Sequence, residues 1–520
     1  MKLTVLLMFI ITLLLNLCSA YKILVVFPNT SKSHGILGEG YVRHLLNAGH
    51  EITYIASVPM KNSSKNLRQI DVSSNFKAFN ELMETVDSKE MFSSRTPWNL
   101  MLQLLNIQYR NIENTIGNED VQKLLYDPNE TFDAVIIEWL SVEIYAGFAA
   151  VFNCPLIWAS PTEPNGPLLS LIDEAPNPAY TPDNVYSAGP PFTFLERVTQ
   201  LAASHIFSLI QWFTSGVDEA LFEANFAAAI RERGRTPLTL KEVKYNASMI
   251  LANSHVSTGV GIRLPQNYKA ISGYHVNEEV SPLPEKLEKL MNESKNGVIY
   301  FSLGSIVPSN KLPEEMRKAF IEVFRSLKQT VIWKFDMEIP DLPKNIHVVK
   351  WAPQQSILAH PKCILFITHG GLLSVIETVH YGKPIIGIPV FADQFSNVKR
   401  AVQKGFALEL RLNEKLAETL KNSVQEMISN TKYTERVKEV SYIYHHRLVK
   451  PGAELVHWVE HVIHTKGAPE LQSPALHMPW YQKAYLDLVA VLILLTYVIV
   501  RTIKFLCCSR RKTDVRKKKN

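Results

Sequence analysis

The stretch 351–394 constrains the fold more than any other part of this 520-residue chain. Residues 363–367 and 384–389 are apolar runs of strand length, and a helix start at residues 374–377 lies between them. The first run leads into His369-Gly370-Gly371, where two glycines let the backbone approach a ligand closely. The free N–H groups and the dipole of the following helix favour an anion such as a diphosphate. An ordinary turn also explains two glycines before a helix.

Continuous apolar runs elsewhere predict further strands that are covered on both faces. Strands at 21–28 and 51–56 flank a helix at 36–47, which is a βαβ unit opening a parallel sheet. Other strands are predicted at 133–139, 155–159, 247–252, 297–303, 330–334 and 346–351, with 247–252 the last of the first half. Residues 66–125 are predicted to be mostly helix and loop.

Helical and irregular segments complete the organisation. Helices are predicted at 194–231, 313–327 and within 432–464, and an extended loop at 161–191. Residues 273–285 have no period and two prolines, as expected of an interdomain linker. The first βαβ unit lacks the G-x-G-x-x-G order of a dinucleotide fold, which argues against an NAD-dependent oxidoreductase.

Both termini carry targeting signals. Residues 1–20 have one lysine, a long apolar core and small residues before the expected cleavage site, which predicts a secretory signal peptide. Residues 488–506 are apolar enough to span a membrane if Arg501 and Lys504 reach the interface; a terminal amphipathic helix is the alternative. The basic residues that follow predict a cytosolic tail and a lumenal body.

Charge and cysteine content exclude some classes of protein. The segment 501–520 holds nine Lys/Arg and one Asp, leaving 46 basic and 48 acidic residues in the rest. This balance does not predict a nucleic-acid-binding surface. Only Cys154 and Cys363 lie in the body, without the spacing of a disulfide framework or a metal site, so buried thiols are predicted.

Five Asn-x-Ser/Thr sequons occur in this chain of the secretory pathway. Four are predicted glycan acceptors: Asn62, Asn129, Asn246 and Asn292. Asn29 is predicted to stay unmodified because it lies in the loop after the first strand, near the candidate base His34. A neutral imidazole at the carboxyl end of such a sheet is a natural base near neutral pH, although a loop histidine is otherwise often solvated.

The stretch 351–394 as a whole closely resembles the signature of the UDP-glycosyltransferases. The matching residues are its Trp-x-Pro-Gln start, the Thr-His-Gly-Gly middle, Glu377, the Gly-x-Pro at 382–384 and the Asp-Gln end. Ser33-His34, the Trp-Tyr-Gln segment at 480–482 and the basic tail also match, so that the resemblance covers nearly the whole mature chain. It is closest to membrane-bound animal members, and Leu372-Leu373-Ser374 is more like insect ones.

The resemblance implies an α/β protein of the GT-B type, with two doubly wound Rossmann-like domains facing across a cleft and one C-terminal transmembrane helix. The predicted parts are a signal peptide (1–20), an acceptor-binding domain (21–272), a linker (273–285), a UDP-sugar-binding domain (286–466), a juxtamembrane segment (467–487), the membrane helix (488–506) and a basic cytosolic tail (507–520). The terminal Lys-Lys-Lys-Asn resembles an endoplasmic reticulum retrieval signal, which implies a single-pass type I protein of that membrane.

The resemblance also implies roles for single residues. His34 would be the base, and Glu138 stands where the family commonly has the Asp that orients it. Trp351 would stack on the uracil, Gln354 would bind nearby, and Glu377 would accept hydrogen bonds from the ribose. The residues implied for the diphosphate are Ser305, His369, Gly371 and Ser374, and those for the hexose are Asp393 and Gln394. Leu373-Ser374 replaces the Asn-Gly common in vertebrates, which puts one phosphate contact in question.

The implied activity is transfer of a hexose from a UDP-sugar to a hydroxyl of a small lipophilic acceptor, with a role in detoxification. Glucose is favoured as the hexose and glucuronate is possible. The mechanism would be inverting and would need no metal and no cofactor, because protein groups hold the phosphates. Nucleic acid is not an expected partner, and a homo-oligomer is left open. The alternative is a non-catalytic lumenal protein of the same fold that binds small molecules.

Overall fold

The computed structural model describes residues 20–87, 98–174, 176–182, 189–305, 309–413 and 415–517. The predicted signal peptide therefore lies outside the described residues except for Ala20, as do the last three residues of the predicted tail. Residues up to Gln472 form one compact unit, and those from Ser473 form a second. The domain limits within the first unit stay a prediction.

The first half contains a seven-stranded sheet in which every strand is parallel to its neighbours. Its order is β3-β2-β1-β4-β5-β6-β7. The strands are β1 Lys22–Phe27, β2 Glu51–Ala56, β3 Leu67–Asp71, β4 Ala134–Glu138, β5 Leu156–Ser160, β6 Met249–Ala252 and β7 Tyr268–Ala270. Central strands such as β4 are buried along their whole length, because apolar cores cover both faces of the sheet.

The second half repeats this architecture with a six-stranded parallel sheet. Its order is β10-β9-β8-β11-β12-β13. The strands are β8 Val298–Ser302, β9 Thr330–Lys334, β10 Ile346–Val349, β11 Cys363–Thr368, β12 Ile385–Gly387 and β13 Ala407–Glu409. Two further cores cover its faces. Both sheets therefore present the carboxyl ends of parallel strands, where α/β proteins bind ligands.

Helices connect and cover the strands. In the first half they are α1 Lys32–Asn47, α2 Phe76–Thr85, α3 Trp98–Ile116, α4 Glu119–Tyr126, α5 Gly147–Phe152, α6 Gly166–Leu169, α7 Phe194–Glu232 and α8 Leu240–Lys244. The second half follows with α9 Glu285–Glu293, α10 Glu314–Arg325, α11 Gln354–Ala359, α12 Leu372–His380, α13 Gln394–Gln403, α14 Leu416–Ser429, α15 Lys432–His445 and α16 Pro451–His464. Helix α16 returns to the first half, where Leu455, Val459 and Val462 join the core beneath β1.

Two edge strands were not predicted from the sequence. Residues 67–71 form β3 within the segment 66–125, which was predicted to be mostly helix and loop, and β7 follows the strand that was predicted to be the last. Both strands are short and partly exposed at the sheet edges, so they lack a continuous apolar run. Pairing with β2 and β6 makes them strands, which is a tertiary effect.

The second unit consists of short helical turns, helix α17 Trp480–Lys483 and the 32-residue helix α18 Leu486–Lys517. Within α18, the 21 residues Leu486–Leu506 are long and apolar enough to cross a membrane. The membrane helix predicted at 488–506 lies inside this segment. The described residues thus contain one candidate span, by length and composition.

Candidate functional site

A cavity of about 600 Å³ is lined by residues that follow strands of both sheets. The structure brings nearly all of the predicted site residues to it: His34, Ser305, Trp351, Gln354, His369, Gly371, Ser374, Glu377, Asp393 and Gln394. Glu138 lies directly behind His34, with a fully buried side chain. Residues predicted from separate parts of the chain therefore share one site, inside one compact unit.

His34 lies in the first turn of α1, and the prediction that it lies in a loop was wrong. The helix begins at Lys32 rather than at residue 36, because Ser31 adopts an extended N-cap conformation and its side chain accepts a hydrogen bond from the Ser33 N–H. The first turn of this helix is made of polar residues, and such a sequence is also typical of a loop. The helix consequently fixes the direction of the His34 side chain.

Glu138 is the last residue of β4, which pairs with β1 in parallel register. This pairing brings the end of β4 beside the loop that leads to His34. Glu138 Oε1 contacts His34 Nδ1, and its Oε2 accepts a hydrogen bond of 2.6 Å from Asn29 Nδ2. The longer side chain of Glu at this position therefore reaches the histidine.

The surroundings of His34 favour its protonated form. Burial lowers the pKa of His34, but the negative charge of Glu138, the hydrogen bond to it and the more distant Asp393 outweigh burial and raise the pKa above its ordinary value. When the ring is neutral, a proton on Nδ1 shared with Glu138 leaves the Nε2 lone pair for another partner. The arrangement can therefore accept a proton from a bound hydroxyl.

Asn29 is a residue of this site that the sequence analysis did not assign to it. The residue is 6% exposed and its side chain donates to Glu138; that this sequon is not an acceptor stays a prediction. The four other sequon asparagines are exposed. Asn29 comes just after the first strand, at the ligand-binding edge of the sheet, and this position was the signal that could have identified it as a site residue.

Across the cavity, His369 follows β11 and its ring lies between two glycines. A Cβ atom at Gly304 or at Gly371 would come within 2.6 Å of His369 Nε2. Gly304 also has a φ of +83°, a conformation that other residues rarely adopt. Burial and, next, the positive charge of Lys334 lower the pKa of His369 to about 4, so the ring is neutral at physiological pH. The glycines are thus needed for the position of this imidazole.

Lys334, at the end of β9, is a second residue that the sequence analysis missed. Its side chain is 9% exposed, lines the cavity near His369 and lies 3.0 Å from Asp336. On the same wall, α12 begins at Leu372, two residues earlier than predicted, and no side chain caps it. Ser305 and Ser374 line the cavity as well. This wall combines a cation, hydroxyls, an imidazole and a helix N-terminus, which together suit a diphosphate.

The carboxylate of Glu377 is held by two amides from α11. Gln354 Nε2 donates to Oε2 over 2.6 Å, and Gln355 Nε2 donates to Oε1 over 3.0 Å. Gln354 also donates to Ser374 Oγ over 3.1 Å. Burial raises the pKa of Glu377 to about 7, against the effect of both amides. This carboxylate is therefore oriented, and its charge changes near neutral pH.

Trp351 is a large aromatic side chain at the edge of the cavity, and 57% of it is exposed. The amino group of Lys32 lies 4.7 Å from the centroid of its ring. Lys32 belongs to α1, so the first and second halves meet over this indole. An exposed indole at a cavity mouth can stack on a flat heterocycle such as a nucleobase.

Asp393 and Gln394 lie at the start of α13. Asp393 Oδ2 accepts a hydrogen bond of 2.8 Å from Asn397, while Gln394 Oε1 accepts from the N–H groups of Val390 and Phe391 over 2.9 and 3.1 Å. The amide oxygen of Gln394 thus organises its own loop. Burial raises the pKa of Asp393, whereas Asn397, the charge of Arg400 and that of His34 oppose this.

The remaining wall of the cavity is apolar. It is formed largely by the first half, including residues of α2 and α3, and its members include Phe79, Met83, Leu104, Ile107, Leu140 and Phe391. His34 lines the same cavity as these apolar residues and the polar residues of the second half. The cavity therefore offers an apolar lining to a lipophilic molecule and polar groups to a charged one.

Comparisons with known proteins agree with this geometry. Residues 21–520 match the family described as "UDP-glucoronosyl and UDP-glucosyl transferase". The chain is 31% identical to "UDP-glucosyltransferase 2" of Dactylopius coccus over 98% of this chain and 96% of that one. It is 28% identical to "UDP-glucuronosyltransferase 2B15" of Homo sapiens over 95% of this chain and 94% of that one.

Two solved glycosyltransferases share the fold. The kitacinnamycin glycosyltransferase has a TM-score of 0.56 at 15% identity and covers 86% of this chain and 100% of its own. The calicheamicin glycosyltransferase CalG4 has a TM-score of 0.55 at 15% identity and covers 86% and 99%. The two parallel sheets thus form a GT-B fold, as the sequence analysis predicted.

Proposed function

Because the chain belongs to the UDP-glucoronosyl and UDP-glucosyl transferase family, we propose that it transfers a hexose from a UDP-sugar to a hydroxyl of a small lipophilic acceptor, with His34 as the base. The UDP-sugar-dependent glycosyltransferase activity follows from the family. The acceptor class and the residue roles are the proposal. The observation that carries it is the His34–Glu138 pair at a cavity that is lined by apolar residues, mostly of the first half, and by polar residues of the second half.

The second half is proposed to hold the UDP group. Trp351 stacks on the uracil, with Gln354 beside it, and Glu377 accepts hydrogen bonds from the ribose hydroxyls. The diphosphate is held by His369, Ser374, Ser305, the backbone at Gly371 and the N-terminus of α12. We add Lys334 to this set. Their common location on one wall supports these roles. The leaving diphosphate gains negative charge in the reaction, so a buried lysine and aligned N–H groups stabilise it. That the reaction needs no metal and no cofactor stays a prediction.

The reaction proposed is a single displacement. The acceptor hydroxyl oxygen forms a bond to the anomeric carbon as the bond from that carbon to the diphosphate oxygen breaks, and UDP leaves. His34 Nε2 takes the hydroxyl proton, and Glu138 stabilises the imidazolium through Nδ1. Attack opposite the leaving group inverts the anomeric configuration. Asp393 and Gln394 are proposed to hold the hexose near His34, which is supported by the electrostatic interaction between Asp393 and His34.

Glucose is the hexose that we propose, with glucuronate as the second candidate. Of the two relatives compared above over nearly the whole chain, the glucosyltransferase has a higher identity than the glucuronosyltransferase. Turnover of UDP-glucose and of UDP-glucuronate by the same preparation separates the two. Faster glucuronate transfer would contradict the choice. A role in detoxification is part of the same proposal, on account of the apolar wall.

The body is proposed to lie in the lumen of the endoplasmic reticulum, with a single type I membrane helix and a short cytosolic tail. The candidate span Leu486–Leu506 and the basic residues after it support this orientation.

The proposal is tested with microsomes that express the full chain, supplied with UDP-glucose and a panel of small phenols. We expect His34→Ala to lower kcat/KM by about 10²–10⁴-fold, the usual contribution of a general base. Glu138→Asp, which restores the family's common residue, tests the partner role and should keep or raise activity. Equal turnover by His34→Ala and the unchanged chain would contradict His34 as the base.

A further inference from the structure

Helix α13 connects the hexose end of the cavity to the first half. Its first turn carries Gln394 and follows Asp393, both of which line the cavity. Its other end lies against the first half, where Lys404 Nζ donates to the Val256 carbonyl over 2.9 Å and Gln403 packs against Gly189. The position of α13 is therefore set by both halves of the protein.

Asn397, within α13, makes three side-chain hydrogen bonds and is 2% exposed. Its Nδ2 donates to Asp393 Oδ2 over 2.8 Å and to the Gly370 carbonyl over 3.1 Å, while its Oδ1 accepts from Arg400 Nη2. The opposite amide orientation would place its oxygen against a carboxylate and a carbonyl, so the observed one is required. One amide thus joins the turn before α12 to the start of α13.

Buried charges surround this amide. Arg400 is 6% exposed and Glu163, from the first half, is 5% exposed; Arg400 is attracted to Glu163 and to Asp393. Glu163 also accepts a hydrogen bond of 3.0 Å from Thr258. Asp393 is partly buried, and a carboxylate in such surroundings keeps its charge when donors and cations compensate for lost water. Asn397 and Arg400 provide that compensation, and neither of them lines the cavity.

We propose that Asn397 is a positioning residue of the transfer reaction, which ties Asp393 to the Gly370 turn and so fixes the hexose relative to the diphosphate and to His34. This inference rests on the proposed function, in which Asp393 binds the hexose and His34 is the base. Hexose and diphosphate flank the bond that breaks, so their distance must be held closely. Arg400 supports Asn397, and Glu163 orients Arg400 from the other half.

The test is a double-mutant cycle in the full chain with Asn397→Ala, Asp393→Asn and the double variant. We expect Asn397→Ala to lower kcat/KM for the UDP-sugar by about 10–100-fold, since a small misplacement at a reacting centre has effects of this size. The affinity for UDP, which lacks the hexose, should fall less. In the double variant, Asn397→Ala should add little to the effect of Asp393→Asn.

The pH profile distinguishes positioning from a merely structural role. Without its donor, the pKa of Asp393 rises further, which weakens its negative charge towards the acid side. The pKa of His34 then falls and the acid limb of kcat/KM moves to lower pH, while Glu138 remains the other charged neighbour of His34. Asn345→Ala is the matched control, because that amide bonds three backbone carbonyls away from the cavity. It should lower Tm and leave the acid limb in place.

Two outcomes separate the inference from its premise. If Asp393→Asn leaves turnover unchanged, the proposed role of Asp393 is wrong. If Asp393→Asn is impaired and Asn397→Ala adds its full effect in the double variant, only the role of Asn397 is overturned. Should Asn397→Ala not fold, Asn397→Asp replaces it, since this variant keeps the acceptor for Arg400 and loses both donated bonds. The same additivity criterion then applies.

Discussion

The carboxylate of Glu138 is enclosed, with no exposed side-chain surface, and His34 and Asn29 contact one oxygen each. A Glu replaces the Asp common in the family at this position, yet the contact with the imidazole is made. The extra methylene is accommodated because β4 ends beside the loop after β1. At the residue scale, the pair therefore depends on the charge of Glu138 more than on the length of its side chain.

We expect Glu138→Gln to lower kcat/KM by about 10²–10⁴-fold and to move its acid limb to lower pH. The base must be neutral, so activity falls as the pH drops through the pKa of His34. Glu138 raises that pKa, and its neutral replacement lowers it. Rates measured across the acid limb test this expectation.

The control for this variant is Glu143→Gln. Glu143 is also buried, is held by Trp139 over 2.9 Å and Lys244 over 3.4 Å, and does not line the cavity. Glu143→Gln should change the stability of the protein without moving the acid limb of kcat/KM. If the acid limb of kcat/KM does not move in Glu138→Gln, Glu138 does not act on the charge of His34.

We predict that Glu377, as a proposed ribose ligand, makes donor binding depend on pH. Burial raises its pKa to about 7, so it is ionised above that pH and protonated below it. A carboxylate is the better acceptor for ribose hydroxyls. We expect the affinity for UDP-glucose to weaken as the pH falls through about 7, and Glu377→Gln to remove this dependence. Calorimetric titration without an acceptor measures it; an equal dependence in the variant would contradict the assignment.

At the scale of elements, helix α1 carries the candidate base, and its first residue is set by Ser31. The same helix is fixed at its other end to the segment after β7, where Arg43 and His44 both donate to the Tyr274 carbonyl over 2.9 and 2.8 Å. A helix held at both ends limits the movement of a side chain in its first turn. The position of His34 is thus a property of the whole element.

Ser31→Ala removes the cap of α1 and should destabilise the helix start by about 0.5–2 kcal/mol. We expect kcat to fall more than global stability, since the proposed base His34 lies in the turn that loses its cap. Ser31→Thr, which keeps the hydroxyl, should restore both. Thr239→Ala removes a comparable cap from α8, far from His34, and should lower Tm alone. Equal kcat in the two alanine variants would refute the link.

At the scale of the whole molecule, the two sheets face one cavity while the candidate membrane helix belongs to a separate unit. The polar wall comes from one half and the apolar wall largely from the other. Two substrates of opposite character can thus meet at His34 without sharing a subsite. The described residues that line this cavity all belong to the first unit.

The proposed lumenal orientation predicts N-glycans on the body. Asn62, Asn129, Asn246 and Asn292 are exposed, whereas Asn29 is buried against Glu138. We expect an endoglycosidase to increase the gel mobility of chain made in a eukaryotic secretory pathway. Replacing the four exposed asparagines by Gln should abolish the change, and Asn29→Gln should not alter it. No change in the unmodified chain would contradict the orientation.

The central strands and the glycines around His369 could be predicted from the sequence, because buried parallel strands need continuous apolar runs and tight turns need glycine. The resemblance also placed His34, Glu138 and the signature residues in one site. Edge strands β3 and β7 could not be predicted, because only pairing with a neighbour makes them strands.

By itself, the sequence determined the family, the parallel sheets and most residues that line the cavity, since these depend on local patterns. Only the tertiary structure decided which distant side chains meet there. His34 and Glu138 are 104 residues apart. Asn29 follows β1 and Lys334 ends β9, so each sheet brings one of them to the cavity, whereas Asn397 contacts the site only through Asp393 and the Gly370 carbonyl. Their contacts depend on sheet order and helix ends, which no local pattern specifies.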